Sequence, residues 1–190
     1  MVILETPRLI LRDFCMDDLE EIYNLVYADP EVKDTWSGVT GTPEEIKNRF
    51  AERYVCKNSS FGFKAMVIKQ TTTLIGLMGF QTHEPAKGEA IYYLLTKENP
   101  DRTVNFDPNC LEVELTYAIG RAFWKKGYAT EMGQAMINYG FRTLGIGRVI
   151  QGVLAHNDNS INLMQRLGFR IEQGLYPGSV VGILDKVKIR

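Results

Sequence analysis

The sequence predicts a mixed α/β domain: a twisted central sheet of about seven strands, with helices on both faces. Two observations carry that prediction. Short apolar runs of strand-forming residues alternate along the chain with segments whose apolar residues recur at helical spacing. At 190 residues and 45% hydrophobic content, the chain also has the size and apolar material for one continuous core. The expected organisation is therefore one domain over residues 1–190, interrupted by an insertion at about 83–109.

The elements follow in order. Leu9-Ile10-Leu11-Arg12 reads as a strand, and residues 16–27 place Leu19, Ile22, Tyr23 and Val26 on one face of a helix. Asp29-Pro30 breaks that pattern. Thr42-Pro43-Glu44-Glu45 then supplies an N-cap, a first-turn proline and early acids, so a second helix starts there and runs to about Tyr54. Residues 62–69 and 73–82 form an antiparallel hairpin around Gln70-Thr71-Thr72. In 110–119, Val113, Leu115 and Tyr117 alternate with Glu112, Glu114 and Thr116, as in a half-exposed strand. A helix carrying Met132, Met136, Ile137 and Phe141 follows, then a strand at 149–155. Asn159 or Ser160 caps a short helix that Gly168 terminates, and two strands close the chain at 169–175 and 180–187. The stretch 83–109 mixes an ordered-looking Ala90-Ile91-Tyr92-Tyr93 run with turn-rich sequence and is read as an insertion between strands.

Composition narrows the function. Lys plus Arg number 22 and Asp plus Glu 23, so no global field draws the protein to nucleic acid or acidic lipid. No stretch approaches the roughly 20 apolar residues of a membrane span. Cys15, Cys56 and Cys110 are odd in number and lack metal-ligand spacing, and only His83 and His156 could join them, so no metal site is expected. A reduced, cytoplasmic setting is the expectation.

The chemistry concentrates at Trp124-Lys125-Lys126-Gly127-Tyr128-Ala129-Thr130, where a strand gives way to a helix. Free backbone N–H groups at a helix start converge on an anion, and Gly127 lets backbone approach a phosphate closely. Gly127 equally suits a plain tight turn flanked by solvated lysines. No Gly-Lys-Ser or Gly-Lys-Thr follows the strand and the glycine spacing is wrong for a dinucleotide fingerprint, so phosphates without hydrolysis remain.

Several motifs in order resemble the GNAT acetyltransferases, and within them the RimJ and RimL ribosomal-protein N-terminal acetyltransferase group. They are Leu4-Glu5-Thr6-Pro7-Arg8-Leu9-Ile10-Leu11-Arg12, Asp29-Pro30-Glu31-Val32, Thr42-Pro43-Glu44-Glu45, the run from Glu114 to Ile119 followed by Trp124 to Glu131, and Asn157-Asp158-Asn159-Ser160 with Leu167-Gly168-Phe169. Trp124 stands where much of the superfamily has Gln or Arg, and Lys125 replaces a frequent glycine.

The resemblance implies a mostly antiparallel sheet with a V-shaped opening between its fourth and fifth strands, around Ile119 and Val153. It implies acetyl-CoA as co-substrate, with pyrophosphate on the amides of Trp124, Lys125, Lys126, Gly127, Tyr128, Ala129 and Thr130. The pantetheine arm would pair with backbone at Tyr117, Ala118 and Ile119, and Asn157 and Ser160 would line the same groove. The acceptor would be a primary amine, either a protein N-terminus or a small molecule, and the chain a monomer or homodimer.

Direct transfer needs a proton acceptor for the amine, an oxyanion donor and an acid for the departing thiolate. Glu114, on the polar face of its strand, is the first choice as base and Glu112 the second, with a solvated strand carboxylate as the plain reading. By resemblance Ser160 is the acid, though it equally suits a helix cap. Met164 occupies the position where many relatives carry a tyrosine acid. The hairpin glutamate of RimL-like enzymes falls here at Ser179, so that base does not carry over. Trp36, Tyr23, Tyr92 and Phe106 are acceptor-pocket residues by resemblance and core residues by default. The competing function is an acetyl-CoA-binding regulatory module with little turnover.

Overall fold

The structure, a computed structural model, describes residues 1–35, 41–57, 59–82, 111–174 and 176–186. The expected insertion at 83–109, with His83, Tyr92 and Phe106, lies outside the described residues, as do Trp36 and Cys110. No helix among the described residues is long and apolar enough to cross a membrane.

The described strands number eight: β1 (Val2–Glu5), β2 (Leu9–Arg12), β3 (Gly62–Ile68), β4 (Leu74–Gln81), β5 (Glu112–Ile119), β6 (Arg148–Leu154), β7 (Arg170–Gln173) and β8 (Ser179–Asp185). That is one more than the sequence suggested. The addition is β1, a four-residue strand with an exposed, half-buried, half-buried, exposed pattern and therefore no period-two alternation to announce it. Neighbours β1–β2, β2–β3, β3–β4, β6–β8 and β7–β8 are antiparallel and β5–β6 is parallel, giving the expected mixed, mostly antiparallel sheet. The helices are α1 (Asp18–Ile22), a π-helix (Tyr23–Ala28), α2 (Pro30–Lys33), α3 (Pro43–Tyr54), a 3-10 turn (Arg121–Phe123), α4 (Tyr128–Arg142) and α5 (Asp158–Arg166).

The chain divides into two compact units. The first comprises Met1–Phe80 and Thr116–Met136, the second Gln81–Leu115 and Ile137–Arg190.

In the first unit the strands run β1, β2, β3, β4 and then the C-terminal half of β5. Strand β4 is buried along nearly its whole length, which is why its sequence is continuously apolar and not alternating. Gly76 belongs there for steric reasons: a Cβ at this position would lie 2.2 Å from the Ala118 carbonyl oxygen. Helix α3 starts as its sequence dictates. Thr42 accepts from the Glu45 amide at 3.3 Å and the Glu45 carboxylate accepts from the Thr42 amide at 2.8 Å, closing a capping box behind Pro43. Ile46 and Phe50 on its inner face join Phe14, Val26, Tyr27 and Phe63 in the core.

The helix expected at 16–27 is α-helical only over Asp18–Ile22 and continues as wider π turns, so that adjacent Val26 and Tyr27 both reach the core. Strand β3 also carries a buried ion pair, on the face opposite Phe63 and Ala65. Lys64 donates to Asp13 at 2.6 Å, with the two side chains only 2% and 5% exposed.

In the second unit the N-terminal half of β5 is followed by β6, β8 and β7. Val113, Val149, Ile150, Met164, Phe169 and Ile183 are buried. The β5–β6 register runs Glu112 to Arg148, Val113 to Val149 and Glu114 to Ile150, three pairs at the N-terminal ends of the strands.

Candidate functional site

In the first unit, β5 hands over to α4 through a tightly specified turn. The Gly120 amide donates to the Ile75 carbonyl at 2.9 Å, fixing the end of the strand. The 3-10 turn then brings Trp124 back so that its indole Nε1 donates to the Ile119 carbonyl at 2.6 Å, with the ring packed on the core. Two residues take left-handed conformations, Lys125 at φ 59° and Gly127 at φ 80°. Gly127 suits that geometry at no cost, whereas Lys125 carries a strain of about 1–2 kcal/mol. The Gly127 carbonyl accepts from the Glu131 amide at 3.0 Å, so the helical ladder begins at Gly127. Among the described residues, none of the amides of residues 125–130 has a hydrogen-bond acceptor within the protein. Six consecutive donors without an acceptor, at the positive end of a 15-residue helix, are chemically suited to take up an anion. Lys126 Nζ lies 5.4 Å from the centre of the Phe123 ring.

The turn is braced by Thr6 and Arg8, which lie between β1 and β2. The Thr6 hydroxyl donates to Glu131 Oε1 at 2.6 Å, and the Arg8 amide donates to the same oxygen at 2.9 Å. Arg8 Nε donates to Glu131 Oε2 at 2.6 Å, and Arg8 Nη1 donates to the Lys126 carbonyl at 2.9 Å. The Arg8 guanidinium also lies over the Tyr128 ring, 4.7 Å from its centre. Burial alone would push the Glu131 carboxyl up, but the hydrogen bonds from Thr6 and Arg8 and the Arg8 charge outweigh it and hold the group below its ordinary value. Glu131 is thus an anion locked into the frame of the turn.

Tyr117, Ala118 and Ile119, the residues expected to pair with a pantetheine arm, are also in the first unit, with Ala118 and Ile119 buried. One of its carbonyls, that of Ile119, is already taken by Trp124.

The second unit holds the remaining expected residues. Glu114, half-buried on β5, accepts from the Gly152 amide at 3.4 Å, just past the last residue pair of the β5–β6 ladder. Glu112, the second choice as base, instead faces Arg148 at 3.5 Å with a side chain only 7% exposed, and Arg148 also donates to Asp185 at 2.6 Å.

Asn157, and not Asn159 or Ser160, caps α5: its Oδ1 accepts from the Ser160 amide at 3.1 Å and its carbonyl accepts from the Ile161 amide at 3.1 Å. The capping alternative for the Ser160 side chain is therefore corrected, while Asn157 and Ser160 do meet at one helix end. Met164 is fully buried, and the Ser179 hydroxyl closes a turn by donating to the Tyr176 carbonyl at 2.7 Å. His156 is exposed.

Tyr23 stacks on Tyr27 with ring centres 6.4 Å apart, a packing role. Cys15 and Cys56 are exposed free thiols. The described residues contain no group of three or more His, Cys, Asp or Glu side chains able to hold a metal.

The acetyltransferase (GNAT) domain family matches residues 8–170 of the chain. The uncharacterized N-acetyltransferase p20 of Bacillus licheniformis is 27% identical over 175 residues, covering 90% of this chain and 84% of its own. Two solved structures share the fold. One is the spermidine N-acetyltransferase of Vibrio cholerae in complex with CoA and spermine, with a TM-score of 0.67 and 16% identity over 95% of this chain and 96% of that one. The other is RimL, a ribosomal alpha-N-protein acetyltransferase in complex with coenzyme A, with a TM-score of 0.64 and 16% identity over 97% of this chain and 98% of that one.

Proposed function

Because this chain belongs to the acetyltransferase (GNAT) domain family and is an N-acetyltransferase, we propose that its donor is acetyl-CoA and its acceptor a primary amine, a protein N-terminus or a small molecule. The observation that carries the donor assignment is the row of unpaired amides at residues 125–130. Such a row offers hydrogen bonds and a favourable helix dipole to a pyrophosphate without supplying hydrolytic machinery. Both solved relatives with bound CoA support the reading.

The pantetheine arm would lie along backbone at Tyr117 and Ala118. The amine nitrogen attacks the thioester carbonyl, the C–N bond forms and the C–S bond breaks. Glu114 takes the ammonium proton through water, and in the RimL-like assignment Ser160 passes its proton to the departing thiolate and regains one through water, so that one proton moves in net from nitrogen to sulfur. Glu114 suits its role because it is a half-buried carboxylate on the polar face of β5, the strand that leads into the 124–130 turn.

A second reading, an acetyl-CoA-binding regulatory module, draws on buried Met164 and turn-closing Ser179, which stand where relatives carry acid and base. Isothermal titration with acetyl-CoA, run beside thiol release against amines, N-terminal peptides and aminoglycosides, separates the two. Binding with thiol release supports the transferase, binding without release supports the module, and absence of binding sinks the donor assignment.

A further inference from the structure

We propose that Arg8 is a positioning residue for the donor's pyrophosphate, acting by aiming the amide row of residues 127–130; this rests on the donor assignment above. Arg8 spans that row. Its Nη1 holds the Lys126 carbonyl immediately before the row at 2.9 Å, and its Nε holds the Glu131 carboxylate immediately after it at 2.6 Å.

A trans peptide is planar, with C=O and N–H pointing in opposite directions. Pinning the Lys126 carbonyl toward Arg8 therefore turns the Gly127 N–H away from Arg8, toward the side left open for an anion. The other end of the row is fixed by Glu131, whose carboxylate is held by three donors from Thr6 and Arg8. The Tyr128 ring, 4.7 Å from Arg8 Cζ, limits the guanidinium to one plane.

Without these contacts the turn would have to retain a left-handed Lys125 unaided, and it would relax into conformations whose amides diverge. Binding would then have to order the turn, and affinity would fall by the cost of that ordering. The planar fork matters more than the charge. A lysine ammonium at position 8 could meet Glu131 or the Lys126 carbonyl, but has no rigid geometry to hold both in register.

The test compares wild type, Arg8→Gln and Arg8→Lys by isothermal titration with CoA, with amide spectra of the 15N-labelled proteins reporting that each is folded. The expected result is a Kd for CoA raised about tenfold or more in Arg8→Gln, about 1.4 kcal/mol, with little rescue in Arg8→Lys. The Gly127 and Tyr128 amide resonances should shift in the free variant while those of the second unit stay in place. A purely structural role would instead lower the melting temperature and leave the Kd of the folded protein unchanged. Wild-type affinity in folded Arg8→Gln, or full rescue by Arg8→Lys, overturns the positioning role. Failure of the wild type itself to bind CoA overturns the donor assignment and the inference with it, a result distinguishable from either variant outcome.

Discussion

Gly127→Asp tests the anion cradle through two opposing consequences of one substitution. The backbone there sits at φ 80°, so any non-glycine residue incurs about 1–2 kcal/mol of strain. Space is not the obstacle: among the described residues, its chain neighbours aside, an added Cβ meets just Arg8 Nη2 within 4 Å, at 3.3 Å, the far end of a flexible side chain. In the free protein the new carboxylate would gain from the helix dipole, by about 0.3–1 kcal/mol, and from Arg8 beside it. Gly127→Asp should therefore be no less stable than Gly127→Ala. With ligand the sign reverses. A carboxylate about 4 Å from a pyrophosphate oxygen is repelled by roughly 1 kcal/mol in water and 4 kcal/mol at a protein surface. The strain is common to both variants and cancels between them, so the repulsion alone predicts a Kd for acetyl-CoA weaker than that of Gly127→Ala by a factor between about five and several hundred. Calorimetric titration and thermal melts of wild type, Ala and Asp variants read both quantities. If folded Gly127→Asp binds acetyl-CoA as tightly as Gly127→Ala, the pyrophosphate does not sit on this turn.

Three further outcomes follow from the structure. Glu114→Gln, which keeps a hydrogen-bond acceptor for the Gly152 amide, should lower turnover at neutral pH by about a hundredfold and leave acetyl-CoA affinity within twofold; wild-type turnover removes Glu114 as base. Asp13→Asn strands the Lys64 ammonium in the core and should cost about 3–5 kcal/mol in urea denaturation. Burial alone would raise the Asp13 carboxyl, but Lys64 holds it below its ordinary 3.8, so this stabilisation is present above about pH 4 and lost as pH falls through the depressed value. A wild-type stability curve that stays flat down to pH 2 would contradict it. Trp124→Phe keeps the ring but loses the bond to the Ile119 carbonyl, which should lower stability by about 1 kcal/mol and the melting temperature by about 2–4 °C.

What the sequence discloses here depends on the range over which each feature is determined. The α3 start is legible because Thr42, Pro43 and Glu45 are all the information its capping box uses. The β3–β4 hairpin and the alternation of Val113 and Leu115 with Glu112 and Glu114 are equally local. The cap of α5 is local too, yet the sequence does not single it out, because Asn157, Asp158, Asn159 and Ser160 are all residue types that cap helices. Only the first ladder bond, from the Ile161 amide to the Asn157 carbonyl, decides among them. The π turns at Tyr23–Ala28 were invisible for a different reason: spacings of three and four fit an α-helix, and only packing against α3 and β3 selects the wider coil.

The 124–130 turn combines both cases. Its glycine and its place between strand and helix are written in seven consecutive residues, enough to suggest an anion site and no more. Its rigidity comes from Thr6 and Arg8, which stand 125 and 123 residues from Glu131 along the chain. A short glycine turn is common, and it becomes a binding site only when its amides are held in a convergent arrangement before the ligand arrives. If the pyrophosphate sits on this turn as proposed, the Thr6-Pro7-Arg8 turn contributes to the donor site as much as the residues whose amides would touch the ligand, and substitutions at position 8 should change donor affinity as well as stability.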